Sequence, residues 1–305
     1  MTQALKFPAI PIMVRLGIIA LLSSLLAACG TAAGQSSGTL QVIAGENFWG
    51  SIAAQLGGSK VSVTSIVTNP NTDPHDYESS ATDARAFAAA DYVVVNGAGY
   101  DDWAQKLLSA NPNDHRKVMT VATLVNKKEG DNPHLWYNPD WIDTVADRMT
   151  ADYKALDSAD SSYFSEQRSK FRTALQPYRD LIARIRANDS GVQVGATESI
   201  FVYLAQALGL NLVSPPEFMV AISEGDDPPA QTVAQFQNQI AQHQVKLLAY
   251  NRQASSPITE NVKQLASRNN IPIVGISETV EPANASFQDW QVAQLTAIEA
   301  ALSRK

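Results

Sequence analysis

The stretch SSYFSEQRSKFRTALQPYRDLIARIRA, residues 161–187, is the one around which the chain is organised. Its apolar residues recur every three or four positions with charged residues between them, which predicts a helix with one buried stripe. Because proline removes an intrahelical hydrogen bond, we expect a kink or a break at Pro177. On both sides of this stretch, short apolar strands alternate with amphipathic helices. The pattern predicts an α/β protein with two similar lobes, each a mostly parallel sheet flanked by helices, joined by this helical spine.

The first residues have the composition of an export signal. Residues 1–15 carry only positive charge, and LGIIALL at 16–22 starts an apolar run too short to cross a bilayer as a mature helix. The run ends in LAACG, residues 26–30, which resembles a bacterial lipobox. This resemblance implies cleavage before Cys29 and a lipid on that residue, whereas the alternative is an ordinary signal followed by a chance cysteine. We expect a signal peptide over 1–28 and a lipid-anchored flexible tether over 29–39, on an exported protein.

Length and composition set further bounds. The chain has 305 residues with 45% hydrophobic and 17% charged content, which is typical of a globular protein with room for two domains. We expect an N-terminal lobe over 40–158, a connecting helix over 159–189 and a C-terminal lobe over 190–305, in a monomer. The formal net charge of −7 disfavours a nucleic-acid partner. The single cysteine excludes an internal disulfide framework.

Two histidines follow predicted strands of the first lobe. His75 lies in the loop after the strand predicted over 61–67, and His134 in the loop after the strand predicted over 118–125. In open α/β sheets, ligands bind beyond the carboxyl ends of the strands. A proline precedes each of these histidines and limits the movement of its loop. The positions therefore mark both histidines as candidate ligands.

The same rule selects two carboxylates in the second lobe. Glu198 follows the first predicted strand of that lobe and Glu278 follows the last. Taken alone, either glutamate is more simply explained as a carboxylate that stabilises the N-terminus of a helix. Together with His75 and His134, however, they give each lobe two candidate ligands, which facing lobes would bring into one cleft. Two neutral imidazoles and two carboxylates balance the charge of a divalent cation, so we expect a metal site.

At these residues the chain resembles the metal-binding lipoproteins of bacterial zinc and manganese ABC importers, the cluster 9 (A-I) family. The resemblance begins at 46–50 (ENFWG), continues through 69–75 and 132–134, and covers nearly all of the mature chain. It implies capture of Zn²⁺ or Mn²⁺ as transported ligand for a membrane permease with its cytoplasmic ATPase. The family's first two histidine ligands match His75 and His134. Its third ligand, which is histidine in many zinc binders and glutamate in some manganese binders, corresponds to Glu198, and its fourth corresponds to Glu278. The resemblance also implies anchoring to the membrane through the lipid on Cys29.

Some features depart from the family pattern. Residues 126–130 (NKKEG) lack the histidines of many zinc binders, Asn251 stands where an acidic residue is usual, and Glu278 replaces the usual aspartate. Imidazole suits zinc, whereas carboxylate oxygens suit harder ions such as manganese. The set of two histidines and two glutamates leans slightly to manganese, although the general affinity order favours zinc.

Other function classes have less support. A secreted metallohydrolase would need an open metal position and a nearby acid or base, yet the candidate polar groups are all used as ligands. The sequence has neither HExxH nor GxSxG. An adhesin-type lipoprotein without a metal would leave the paired Pro-His loops unexplained. We therefore expect a binding protein and not an enzyme.

Overall fold

The strands of the chain form two separate sheets, each flanked by helices. The computed structural model describes residues 38–71 and 73–304. The predicted signal peptide, Cys29 and nearly all of the predicted tether lie outside these residues. From Thr39 onward the chain forms one compact unit. None of the described helices has the length and hydrophobicity that crossing a bilayer requires.

The first sheet has four strands in the order β2-β1-β3-β4, all parallel. These strands are β1 (Leu40–Glu46), β2 (Val61–Val67), β3 (Tyr92–Val95) and β4 (Lys117–Thr120). All four residues of β3 are buried, as expected for a strand covered on both faces. Parallel pairing brings the carboxyl ends of the strands to one edge, where the loops carrying His75 and His134 begin.

Three helices of the first half connect these strands, and two more follow β4. They are α1 (Asn47–Gly57), α2 (Ala81–Ala89), α3 (Asp102–Ala110), α4 (Val121–Leu124) and α5 (Pro139–Leu156). The strand predicted over 118–125 is wrong in its second half, because Val121–Leu124 forms a helical turn. The β-branched composition of this segment indicated a strand, but the chain leaves the sheet after Thr120.

The spine is two helices and not one rod. Helix α6 (Ser161–Ala174) ends at Leu175, and α7 (Gln176–Asp189) starts there with Pro177 in its first turn. Proline is tolerated in a first turn because its missing N–H would have no intrahelical partner at that position. The predicted break is therefore present, two residues before the proline.

Charged side chains tie α5 to both parts of the spine. The buried Arg168 of α6 donates to Asp143 and Asp147 of α5, at 2.7 Å in each case. Arg179 of α7 also donates to Asp143. One carboxylate of α5 thus holds the two helices on either side of the break.

The second half repeats the plan of the first. Its sheet has the order β6-β5-β7-β8, again all parallel. The strands are β5 (Gln193–Ala196), β6 (Asn211–Leu212), β7 (Leu248–Asn251) and β8 (Ile273–Ile276). The helices are α8 (Val202–Ala207), α9 (Pro216–Ser223), α10 (Ala230–Ala241), α11 (Pro257–Arg268) and α12 (Phe287–Leu302). The two sheets confirm the predicted fold class, while the exact lobe boundaries stay a prediction.

One hydrophobic core runs from the first sheet through the spine to the second. Polar contacts cross between the halves as well. The side chain of Asn47 in α1 exchanges hydrogen bonds with the backbone of Val280, at 2.9 and 3.3 Å. Gln55 and Gln288 pair through both amide groups, at 3.1 and 2.8 Å. These contacts fix the two sheets against each other on one side of the cleft.

Candidate metal centre

His75 is held in a 3-10 turn that follows β2. Asp73 caps this turn by accepting the His75 backbone N–H at 3.0 Å. The His75 ring packs edge-on against Tyr100, with ring centroids 4.7 Å apart. The turn residues predicted as a loop therefore form a defined support for the imidazole.

His134 is fully buried, and its ring orientation is set by Asn132. The Asn132 side-chain oxygen lies 2.8 Å from His134 Nδ1 and also accepts the His134 backbone N–H at 3.0 Å. Because an amide oxygen only accepts hydrogen bonds, we place the ring proton on Nδ1, which leaves a lone pair on Nε2. Burial, and then the nearby His75, lower the pKa of His134 well below its usual value. Its imidazole is thus neutral, which is the form that binds metals.

Both glutamates are buried at the carboxyl edge of the second sheet. Glu198 follows β5 and precedes the 3-10 turn Ser199–Phe201, while Glu278 follows β8. Neither side chain is exposed to solvent. A carboxylate is costly to bury without a charged or hydrogen-bonding partner, so these positions need a partner of positive charge or good donors.

Side chains from the two lobes meet in the cleft. His75 Nε2 lies 3.5 Å from Glu278 Oε2, and His134 Nε2 lies 3.9 Å from the same oxygen. His75, His134 and Glu278 each offer a donor atom within 4.8 Å of those of the other two. Glu198 does not belong to this set of three, but its Oε1 lies 3.6 Å from His134 Nε2. The geometry therefore brings together all four predicted residues, with Glu198 on the His134 side.

The pKa shifts of the buried carboxylates and of His75 indicate a site that favours positive charge. Burial raises the pKa of Glu278 to about 7; the nearby His75 opposes this effect, while Glu198 adds to it. Burial also raises the pKa of Glu198. For His75 burial lowers the pKa, but the carboxylates of Glu278, Asp73 and Glu198 outweigh it and the net shift is upward. Mutual repulsion of buried carboxylates would be relieved by a bound cation.

One ring nitrogen of each histidine in the site has its hydrogen-bonding capacity unused within the described part of the chain. The Nε2 atoms of His75 and His134 are buried without a hydrogen-bond partner among the described residues. Buried polar atoms in proteins are nearly always paired. These two nitrogens face carboxylate oxygens, so the group that fits between them accepts lone pairs from both kinds of donor, as a metal ion does.

The structure adds supporting residues that the sequence did not single out as part of the site. The Tyr100 hydroxyl donates to Glu278 Oε2 at 2.6 Å, across the two lobes. Asn96, at the end of β3, donates to the carbonyl of Pro133 at 2.8 Å and so supports the His134 loop. Neither position has a sequence motif that marks it, because each acts through contacts distant in the chain.

A cleft of about 560 Å³ reaches the site at His75, which belongs to its lining. The cleft walls come from the His75 turn, the 130–133 loop, and helix α9 with the residues that follow it. Helix α9 was not predicted from the sequence, where two adjacent prolines obscured its start.

The sequence of this chain matches a known protein family. A family model described as ZnuA, the periplasmic component A of the zinc-uptake complex, matches residues 42–301. The chain belongs to this family. Membership of the ZnuA family confirms the resemblance drawn from the sequence motifs. The family consists of solute-binding proteins for transporters, not of enzymes.

Relatives found by sequence similarity are named for different metals. The manganese-binding lipoprotein MntA of Halalkalibacterium halodurans is 29% identical over 39% of this chain and 41% of its own length. The high-affinity zinc uptake system protein ZnuA of Bacillus subtilis is 20% identical over 76% of this chain and 78% of its own. The manganese ABC transporter substrate-binding lipoprotein PsaA of Streptococcus anginosus is 23% identical, with 84% and 86% covered.

Solved structures show the same fold. The Mn-bound periplasmic metal binding protein of Candidatus Liberibacter asiaticus superposes with a TM-score of 0.70 and 19% identity, covering 86% of this chain and 98% of that one. A crystal structure of ZnuA superposes with a TM-score of 0.67 and 21% identity, covering 87% and 98%. Two lobes with parallel sheets are thus the architecture of the ZnuA family.

Proposed function

We propose that this chain is the extracytoplasmic substrate-binding component of a metal ABC importer and that it holds one Zn²⁺ or Mn²⁺ ion with His75, His134, Glu198 and Glu278. The observation that carries the proposal is the pair of buried, unpartnered imidazole nitrogens facing two buried carboxylates. Family membership supplies the transport role. The ion is cargo, so the site must bind it tightly and later release it.

The donor types allow both ions. Neutral imidazole nitrogens suit zinc, and carboxylate oxygens suit manganese. Relatives named for each metal are found among the similar proteins. A competition titration of zinc against manganese in metal-stripped protein decides which ion this chain prefers.

Delivery requires a membrane permease and its ATPase, and we propose that a lipid on Cys29 keeps the protein at the membrane. Two relatives are named as lipoproteins, which supports this anchor. Replacing Cys29 by serine should abolish incorporation of labelled fatty acid and release the protein from the membrane fraction. Continued membrane retention without a lipid would contradict the anchor. We also propose a monomer, which light scattering on the mature protein tests.

The central test compares two histidines. His134→Ala removes a buried nitrogen ligand, whereas His115→Ala removes an exposed imidazole outside the cleft. We expect the first variant to lose metal affinity by orders of magnitude in calorimetric titration with an unchanged fold by circular dichroism, and the second to bind as the parent does. Equal binding by both variants would reject the proposed site.

A further inference from the structure

The second sheet places one asparagine between the two glutamates. Strand β7 is central, with β5 on one side and β8 on the other. Glu198 follows β5, Glu278 follows β8, and Asn251 ends β7 in register with Ile276. The side chain of Asn251 is buried, like both carboxylates. The strand order therefore places the side-chain amide of Asn251 between the carboxylates of Glu198 and Glu278.

The amide hydrogen-bonds to both acids. Asn251 Nδ2 donates to Glu198 Oε2 at 3.0 Å and to Oε1 of Glu278. Its Oδ1 accepts the backbone N–H of Gln253 at 2.9 Å, which fixes the orientation of the amide. Since carboxylates accept and do not donate when ionised, the reverse orientation would set three acceptor oxygens together. Both Nδ2 hydrogens are thus used, one on each glutamate.

The remaining oxygen of each glutamate faces the histidines. Glu198 Oε1 lies 3.6 Å from His134 Nε2, and Glu278 Oε2 lies 3.5 Å from His75 Nε2. These inner oxygens also accept from Ser199 at 2.9 Å and from Tyr100 at 2.6 Å. Because each oxygen has about two acceptor sites, one site per carboxylate is left toward the imidazoles.

We infer that Asn251 is a specificity-determining positioning residue: by holding the outer oxygen of each glutamate, it restricts both to one-oxygen coordination and so favours zinc over manganese. This inference rests on the proposed metal site. Two imidazole nitrogens and two single oxygens give four donors, the number that zinc adopts in tetrahedral sites. Manganese is found in octahedral oxygen-rich sites, which would require the outer oxygens that the amide holds. The ligand types alone favour manganese slightly, whereas the hydrogen bonds of Asn251 favour zinc.

The test replaces the amide in two ways. Asn251→Ala removes the donor and its volume, whereas Asn251→Leu keeps a side chain of similar shape and removes the donor without adding a charge. Each variant and the parent are titrated with zinc and with manganese, alongside Asn238→Ala, an exposed change on α10. We expect the ratio of the manganese Kd to the zinc Kd to fall by about tenfold in both Asn251 variants, because manganese binding gains relative to zinc binding. A change of about tenfold corresponds to the free energy of one hydrogen bond to a charged group. Asn238→Ala should keep the parental ratio.

The outcomes separate this inference from the proposed function. If the parent binds no metal, the proposed function fails. If the parent binds metal and His134→Ala does not, but both Asn251 variants keep the parental ratio, only the role of Asn251 fails. A shift in Asn251→Ala without one in Asn251→Leu would assign a space-filling role and overturn the inference.

A second measurement does not depend on the variants folding. X-ray absorption on the zinc-loaded parent should give four nitrogen or oxygen donors at about 2.0–2.2 Å. Five or six donors would mean that a glutamate binds through both oxygens and would contradict the restriction.

Discussion

At the scale of single residues, the site depends on which atom of each side chain is already engaged. The side-chain oxygen of Asn132 accepts a hydrogen bond from Nδ1 of His134, so Nε2 is left with a lone pair for a cation. Asn251 engages one oxygen of each glutamate, and Tyr100 donates to the Glu278 oxygen that faces His75. A ligand whose other atoms are held in place loses less conformational entropy when the metal binds.

Acid should weaken metal binding. Burial raises the pKa of Glu278 to about 7, and nearby carboxylates raise the pKa of His75. Near and below that pH the metal-free site holds protons that a metal must displace. We expect affinity to fall as pH decreases through about 7 and calorimetry in buffers of different ionisation enthalpy to show proton release. Affinity independent of pH, with no proton released, would contradict these protonation states.

At the scale of elements, the break in the spine is held by one carboxylate. Asp143→Ala would leave the buried Arg168 with Asp147 as its remaining carboxylate partner and free Arg179. We expect a loss of about 1–3 kcal/mol in the free energy of unfolding, measured in urea, because a buried charge loses a partner. Glu166→Ala removes an exposed pair with Lys170 and should have no measurable effect. Equal effects of the two changes would show that Asp143 does not stabilise the spine.

Strand β1 ends on a buried acid, Glu46, beside Asp101. Burial, and then Asp101, raise the pKa of Glu46 well above its usual value. The folded state therefore holds a proton that the unfolded state releases, and stability is lost as pH rises from the unfolded to the folded pKa. Glu46→Gln does not titrate, so we expect it to be more stable than the parent at neutral pH and to show a flatter pH dependence of unfolding. An identical pH dependence in both proteins would refute this.

Most of the strand–helix order and the positions of the four candidate ligands were predictable because both depend on local patterns, although helix α9 was missed. Apolar runs such as 92–96 mark buried strands, and the carboxyl-end rule points to His75 and Glu278. The turn of helix at Val121–Leu124 and the support from Tyr100 were not predictable. They depend on contacts between residues far apart in sequence. The assignment of the four side chains as ligands stays a prediction that the geometry supports.

At the scale of the molecule, the two lobes share one core and are joined beside the cleft by reciprocal amide contacts. Breaking the Gln55–Gln288 pair and the Asn47–Val280 pair would leave partly buried polar groups without these hydrogen bonds. We therefore expect no large hinge motion, and we expect metal exchange to use local movement of the cleft walls.

Small-angle scattering tests this rigidity. We expect the metal-free and metal-loaded proteins to have the same radius of gyration, because the core and the amide contacts stay intact. A clear decrease on loading would indicate closure of one lobe onto the other. Disrupting the amide pair with Gln288→Ala provides a variant in which any change should be larger than in the parent.

The most direct test of the account is a crystal structure of the metal-loaded protein with anomalous scattering recorded at the metal edge. We expect one strong peak in the cleft, at about 2.0–2.2 Å from Nε2 of His75, Nε2 of His134, and one oxygen each of Glu198 and Glu278. A peak held by other residues, or one that leaves out either lobe, would contradict it.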